Sequence, residues 1–460
     1  VRIFGHYVSR SLFYLGLVEG LILYVSLFLS ISLIWLGFKQ IHITFFAYLS
    51  EATVFTAIFM SMMIAVGLYH RELSRNMRTT FMRLLTAFAL AFVLLSMALY
   101  LWPALTFGRG VVALALLVSF GGIMLARFIY LRVTGLLTFK SRILVLGAGP
   151  QAARIAELEA GAKSPAFSVV AYVAESGKAV KVPEDRVVRG INSLSDYCRQ
   201  HGIEEIVVAV EERRGGLPMT DLLACKADHI RISECSGFWE RETGKVDLGT
   251  LNPSWIIFSE GFTGGRAQGI SKRVFDVVVS LLLLVFSLPV LILTAILIKL
   301  ESPGGVIYRQ ERVGLRGQTF DLYKFRSMRS DAEKDGPRWA AEGDPRVTRI
   351  GRFIRKTRID EIPQIFNVLL GHMSFIGPRP ERPFFVQELC QTIPYYNERH
   401  QVKPGISGWA QLNYPYGAST EDARQKLQYD LYYIKNYSLF LDILVLMQTI
   451  RVILWPDGAR

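Results

Sequence analysis

The chain has 460 residues, of which 51% are apolar, a mean hydropathy of +0.31 and a formal net charge of +13. That length allows about three domains of ~150 residues, and the hydropathy is high for a water-soluble chain, so part of it is expected in lipid. The positive charge fits an anionic membrane surface, a phosphorylated substrate or nucleic acid, and composition by itself does not choose among them.

Four apolar blocks lie before Lys140, near residues 12–37, 46–69, 80–101 and 108–131. Each is close to the ~20 residues that a helix needs to cross a bilayer, which predicts a four-helix transmembrane bundle over residues 1–140. Arg2 and Arg10 precede the first block, Arg71, Arg75 and Arg78 separate the second from the third, and Arg132, Lys140 and Arg142 follow the fourth. The alternate loops hold little beyond Lys39 and Arg109. The positive-inside rule then places both ends of the bundle in the cytoplasm. No short apolar core is followed by a small-residue cleavage site, so the first block reads as a permanent anchor. Glu19 and Glu51 are expected to face the bundle interior.

From Ser141 the pattern changes to RILVLGAG, FSVVAYV and EEIVVAV, short strands alternating with amphipathic segments. This predicts a Rossmann-like α/β domain with a parallel sheet over residues 141–262. Gly147, Gly149 and Ala152 form a G-x-G-x-x-A between strand and helix, with Glu175 after the second strand, the setting of a dinucleotide-binding turn. The unit is too short for a full Rossmann sheet and its third glycine is alanine, which favours structural or regulatory use over cofactor binding. Cys198, Cys225, Cys235 and Cys390 have neither zinc-site spacing nor the density of a disulfide scaffold, and read as reduced cytosolic thiols.

Residues 263–460 open with SKRVFDVVVSLLLLVFSLPVLILTAILIKLE, long enough for a fifth span. Pro289 in its middle removes a helix hydrogen bond, and both flanks are basic, with Lys272 and Arg273 before and Lys299, Arg309 and Arg312 after. A re-entrant helix-break-helix near residues 274–300, broken at Ser287 and Pro289, satisfies both features and keeps the rest of the chain cytoplasmic. A proline-kinked full span is the alternative.

Farther on, RKTRIDEIPQIFNVLLG sets adjacent Asp360 and Glu361 behind Arg355, Lys356 and Arg358, and GPRPERP puts Arg379 between Pro378 and Pro380. On these residues alone, Asp360 is either the N-cap of an amphipathic helix from Glu361 to Leu370 or part of a carboxylate pair in a cationic pocket. Lys324, Arg326, Arg352 and Lys403 add to the charge. No base-reading helix or aromatic RNA-binding motif is present, which argues against nucleic acid and for a small polyanion.

From Lys272 onward, KRVFD, the Ser/Pro-broken apolar run, YKFRSM, RIDEIPQIFNVLLG, MSFIGPRP and VKPGISGWAQ follow one another. In this order they resemble the bacterial polyprenyl-phosphate sugar-phosphate transferases, the monotopic phosphoglycosyl transferases. The bundle and the α/β domain are similar to those of the large, dimer-forming members. FWERETGKVDLGTLNPSW resembles the branch associated with exosortase-type exopolysaccharide loci. The resemblance implies transfer of a sugar-1-phosphate from a UDP-sugar to polyprenyl (undecaprenyl) phosphate, with release of UMP. It implies a homodimer in the bacterial inner membrane with its soluble domains in the cytoplasm.

The resemblance also implies roles. Asp360 would be the nucleophile of a covalent phospho-sugar intermediate, and Glu361 with Asp360 would hold Mg²⁺. Arg379, fixed by Pro378 and Pro380, together with Lys324, Arg326, Arg355 and Arg358, would meet the substrate phosphates. Lys403 stands where arginine is more usual before Pro-Gly, and lysine cannot grip a phosphate in the bidentate way. The chemistry would then lie after Lys272, with the earlier regions serving oligomerisation, stability or regulation. The rival class, an NAD-dependent nucleotide-sugar epimerase or dehydratase built on Gly147 to Ala152, needs a Tyr-x-x-x-Lys pair. No tyrosine in the chain has a lysine four residues on.

Overall fold

In the computed structural model the chain divides into two units, Val1–Tyr130 with Ile256–Arg460, and Leu131–Trp255. The residues described are 2–3, 6–7, 10–36, 48–69, 76–102, 108–136, 140–161, 166–174, 179–210, 217–249, 251, 265–329, 344–415, 417 and 419–454. Lys39, Arg71, Arg75 and Glu175 lie outside them.

The first unit begins with β1 (Arg2–Ile3) antiparallel to β2 (His6–Tyr7), then α1 (Arg10–Leu36), α2 (Leu49–Ala65), α3 (Met77–Leu101) and α4 (Arg109–Leu136). Leu27, Phe55, Phe59, Leu84, Ala115 and Ile123 belong to one core shared by the four helices. Among the described residues Ser11–Ile34, Met77–Leu101 and Arg109–Arg132, and later in the chain Ala267–Glu301, are long and apolar enough to cross a membrane. The second apolar block differs: α2 has 17 residues, a length of about 25 Å against a hydrocarbon core of ~30 Å. Gly67, at φ +80°, takes the left-handed position after Val66 and stops the helix. Arg83 Nη1 donates to the carbonyl of Val66 at 2.9 Å and Arg127 Nη1 to that of Leu68 at 3.1 Å, satisfying acceptors freed by the turn. Glu19 and Glu51 are buried. Arg127 Nε sits 2.6 Å from Glu19, which also accepts from the Tyr69 hydroxyl at 2.5 Å.

The second unit holds β3 (Ser141–Leu146), α5 (Pro150–Gly161), β4 (Phe167–Val173), β5 (Val187–Val188), α6 (Leu194–Gln200), β6 (Glu205–Val208), α7 (Met219–Ala227), β7 (Arg231–Glu234) and α8 (Cys235–Thr243). The strands are parallel in the order β5-β4-β3-β6-β7, so the chain reverses direction of growth at β3 as in a Rossmann half. Its two faces are separate apolar cores, one containing Ile143, Val145 and Phe238, the other Leu144, Ile206 and Leu222. Gly147, at φ +117°, is required by packing, because a Cβ there would meet the carbonyl of Ala209 at 2.6 Å. Ala152 is fully buried, and the carbonyl of Ala148 accepts from Lys181 N–H at 2.8 Å. The chain's own segment thus closes on the glycine turn.

Back in the first unit, α9 (Arg266–Glu301) runs as one helix through Ser287 and Pro289. The helix-break-helix expected at these residues is instead one continuous helix with Pro289 inside it. Only one N–H is missing there, and Ser287 Oγ donates at 3.5 Å to the carbonyl of Leu284. Both ends of α9 still attach to the same fold. At its start Lys272 Nζ lies 2.9 Å from Asp442 and Asp276 accepts from Phe375 N–H, while at its end Glu301 accepts from Arg349 and Ile350 N–H. Its buried stripe includes Lys272, Asp276, Ser280, Ser287 and Thr294, and its exposed face carries Val285, Phe286 and Leu293. A helix that is polar toward protein and apolar outward is suited to lipid.

Ends tied to one fold predict ends on one side of the membrane. Cysteines placed at Ser271 and Lys299, in a Cys390→Ser background, are expected to react alike with an impermeant maleimide added to sealed inside-out vesicles. Reaction of only one would show a full crossing.

After α9 come the antiparallel hairpin β8 (Ile307–Val313) and β9 (Thr319–Phe325), α10 (Arg349–Lys356), α11 (Gln364–Leu370), β10 (Ser374–Ile376), α12 (Pro383–Thr392), β11 (Gly405–Ser407), α13 (Trp409–Asn413), α14 (Thr420–Lys435) and α15 (Leu439–Leu454). β10 and β11 pair in parallel. α15 packs on α2, and His6 Nδ1 lies 3.0 Å from the Tyr432 hydroxyl and edge-on to Trp409. The N-terminal bundle and the C-terminal region therefore fold as one body.

Candidate active site

Four elements meet at the acidic pair. A single 3₁₀ turn, Ile359–Glu361, follows Arg358, which is held left-handed at φ +59°, a conformation costly for a side-chain-bearing residue. α11 starts only at Gln364, with Pro363 as its cap residue and no capping side chain. Asp360 is therefore not the N-cap that the sequence allowed; it precedes the first helical residue by four positions. Instead Asp360 is 8% exposed, and its Oδ1 is buried without a hydrogen-bond partner.

Glu361 is the opposite case. Its Oε1 accepts from Lys324 Nζ on β9 at 3.0 Å and from Arg379 Nη2 at 2.9 Å, with Arg358 Nη1 at 3.9 Å. Burial works against its charge, but Arg379, Lys324 and Arg358 outweigh it and hold the carboxyl well below the usual range. For Asp360, burial first and the Glu361 charge second push the pKa up to about 6, against Lys324, Arg358 and Arg355. One carboxylate is neutralised by cations, and the other is desolvated with one oxygen unpartnered.

The supports are specific. Asn367 on α11 donates from Nδ2 to the carbonyl of Asp321 at 2.7 Å and accepts from Tyr323 N–H at 2.9 Å, fixing α11 to the strand that carries Lys324. The Pro378–Arg379–Pro380 turn is held at each carbonyl: Pro378 accepts from Gly405 N–H, Arg379 from Arg399 Nη2 and Pro380 from Arg312 Nη1, at 2.9, 2.9 and 3.0 Å. Gly377, Gly405 and Gly408 approach backbone to backbone, with no room for a Cβ.

Against this geometry the likeness to known proteins can be read. Residues 267–456 match the bacterial sugar transferase family, and residues 64–216 match the CoA-binding domain. The UDP-glucose:undecaprenyl-phosphate glucose-1-phosphate transferase of Caulobacter vibrioides is 37% identical over 264 residues, 53% of this chain and 98% of that protein. The chain belongs to the bacterial sugar transferase family. The UDP-N-acetylgalactosamine-undecaprenyl-phosphate N-acetylgalactosaminephosphotransferase of Aeromonas hydrophila is 45% identical over 247 residues, 52% of this chain and 56% of that protein. The exopolysaccharide production protein PSS of Rhizobium leguminosarum is 40% identical over 190 residues, 39% of this chain and 94% of that protein.

Two expected phosphate ligands have other partners. Arg326 is committed to the chain after α9, donating to the carbonyls of Pro303 and Ser302, both at 2.8 Å. Lys403 borders Gly371 beside Arg273, at the opposite end of α11 from the acidic pair, with its pKa lowered by burial and by Arg273. Arg355 and Arg358 remain near Asp360, where their charges act on it. Sequence reasoning assigned no role to Arg399, Asn367 and Glu301, whose partners Asp430, Asp321 and Arg349 lie far along the chain.

Among the described residues no group of three or more His, Cys, Asp or Glu side chains converges. Two carboxylates nonetheless fit Mg²⁺, which is commonly held by one or two carboxylates plus substrate phosphates. The Asp360 Oδ1, buried and without a hydrogen-bond partner, would be the oxygen that this residue offers.

Proposed function

We propose that this chain transfers a sugar-1-phosphate from a UDP-sugar to polyprenyl phosphate and releases UMP, through an intermediate on Asp360. The observation that supports this most is the inequality of the adjacent carboxylates. Glu361 is charge-balanced by Lys324 and Arg379, whereas Asp360 is buried with an unpartnered oxygen. A carboxylate is a weak nucleophile in water but becomes adequate when desolvated and aimed in line at phosphorus.

In the first step an Asp360 oxygen attacks the sugar-bearing phosphorus, the bond to the bridging oxygen breaks, and UMP departs with that electron pair. In the second step an oxygen of polyprenyl phosphate attacks the same phosphorus, forming a diphosphate and returning Asp360 to its carboxylate. Arg379, Lys324, Arg355 and Arg358 balance the charge on the phosphates. Mg²⁺, held by Asp360 and Glu361, would supply charge neutralisation across the diphosphate. The site would face the cytoplasm of a bacterial inner membrane, where nucleotide sugars are made, and the chain would work as a homodimer.

The test is UMP release by the purified full chain across a panel of UDP-sugars. One sugar is expected to give about one UMP per chain without acceptor and continuous release with polyprenyl phosphate. Release from no UDP-sugar would defeat the reading.

A further inference from the structure

The second half of α9 and the amphipathic α10 enclose a groove of about 320 Å³, lined by Val290, Leu293, Leu297, Ile350, Phe353 and Ile359. Its walls are fixed to each other. The Glu301 carboxylate, at the end of α9, accepts from the N–H groups of Arg349 and Ile350 at 2.8 and 3.2 Å, which docks the first turn of α10. Beneath, Leu291 and Ile298 pack with Ile354 and Phe325.

The groove is apolar apart from Thr294 and Arg349 in its lining. Leu293 and Phe353 on its rim are 58% and 62% exposed, an arrangement unfavourable in water and natural in a bilayer. α9 continues the same apolar surface along Val285, Phe286 and Leu288. One lining residue, Ile359, is followed directly in the chain by Asp360, and Arg349 shares the lining. A ligand matching this layout is a single apolar chain ending in a phosphate.

We infer that this groove binds the first isoprene units of the polyprenyl phosphate acceptor and so delivers its phosphate to Asp360. The inference rests on the acceptor named under Proposed function, and on relatives named for undecaprenyl phosphate. The groove grips only the phosphate-proximal part of the chain, and the rest stays in the lipid. Placing the tail this way supplies the orientation that an in-line second step needs, from apolar contacts remote from the reacting atoms.

The test uses the full chain in nanodiscs with geranylgeranyl phosphate carrying a diazirine on its second isoprene unit, without UDP-sugar. Irradiation is expected to label residues 290–297 and 350–359. Leu293→Trp and Leu297→Trp, which fill the groove, are expected to cut labelling and raise the acceptor KM about tenfold each. Val285→Trp, on the same helix away from the groove, is expected to change neither. Labelling elsewhere, or labelling unaffected by both filling variants, overturns the inference. So does displacement of the probe by dioleoyl phosphatidic acid as readily as by unlabelled polyprenyl phosphate, which would make the groove a general lipid surface. Because labelling needs no turnover, groove labelling in a protein that releases no UMP upholds the groove and sinks the transferase reading. UMP release with labelling elsewhere does the reverse.

Discussion

Asp360→Asn is expected to abolish transfer and to take no label from a UDP-sugar radioactive in its β-phosphate. The amide keeps the shape of the side chain but cannot form the acyl phosphate. Label retained by the Asn protein would move the nucleophile elsewhere. The same substitution is expected to stabilise the fold. Burial and Glu361 raise the Asp360 pKa from 3.8 to about 6, so the contribution of this carboxyl to stability is full below pH 3.8 and is lost as the pH rises through about 6. At pH 7 the charged form costs roughly 3 kcal/mol, which Asn removes. An inactive variant with a raised Tm at pH 7, and no gain at pH 4, is the joint signature. Wild-type UMP release should climb with pH through about 6 as the nucleophile ionises.

Much of this site was legible in the chain, and the limits have physical causes. Strands at RILVLGAG, FSVVAYV and EEIVVAV announce themselves because buried parallel strands need continuous apolar runs, and the sheet forms from them in the Rossmann order. Asp360, Glu361, Lys324 and Arg379 converge as their charge pattern implied. The reach of a long side chain, however, is not written in its neighbours. Arg326 lies one position from the end of β9, two residues from Lys324, yet its guanidinium points to Ser302 and Pro303. Pro289 forbids one hydrogen bond but does not force a loop, because apolar residues on both sides still gain from helical pairing in lipid. The capping expectation failed for a different reason. The left-handed Arg358 and the tight turn after it set Asp360 ahead of α11, and no residue type in RIDEIPQ signals a positive φ at an arginine.

Loss of Asp430 is expected to unfold or disarm the protein although Asp430 contacts no proposed substrate group. Arg399 is buried with it, donating to Asp430 Oδ2 from Nε at 3.1 Å and from Nη2 at 2.8 Å, while Nη2 also holds the carbonyl of Arg379. Asp430→Ala strands a buried guanidinium and should cost about 3–5 kcal/mol, seen as a large fall in Tm. Arg399→Met with Asp430→Leu removes both charges and should restore most of that stability, since paired replacement by apolar groups is often neutral. Activity should not return with it. The Arg379 carbonyl would lack its donor, Arg379 would no longer be aimed at Glu361 and the phosphates, and a displacement of about 1 Å can cost a hundredfold. The expected double variant is folded, with kcat/KM for the UDP-sugar down by about that factor and the acceptor KM unchanged. Wild-type activity in that stable double variant would show that Arg399 serves folding alone, and that Arg379 is positioned by Pro378, Pro380 and Arg312 without it.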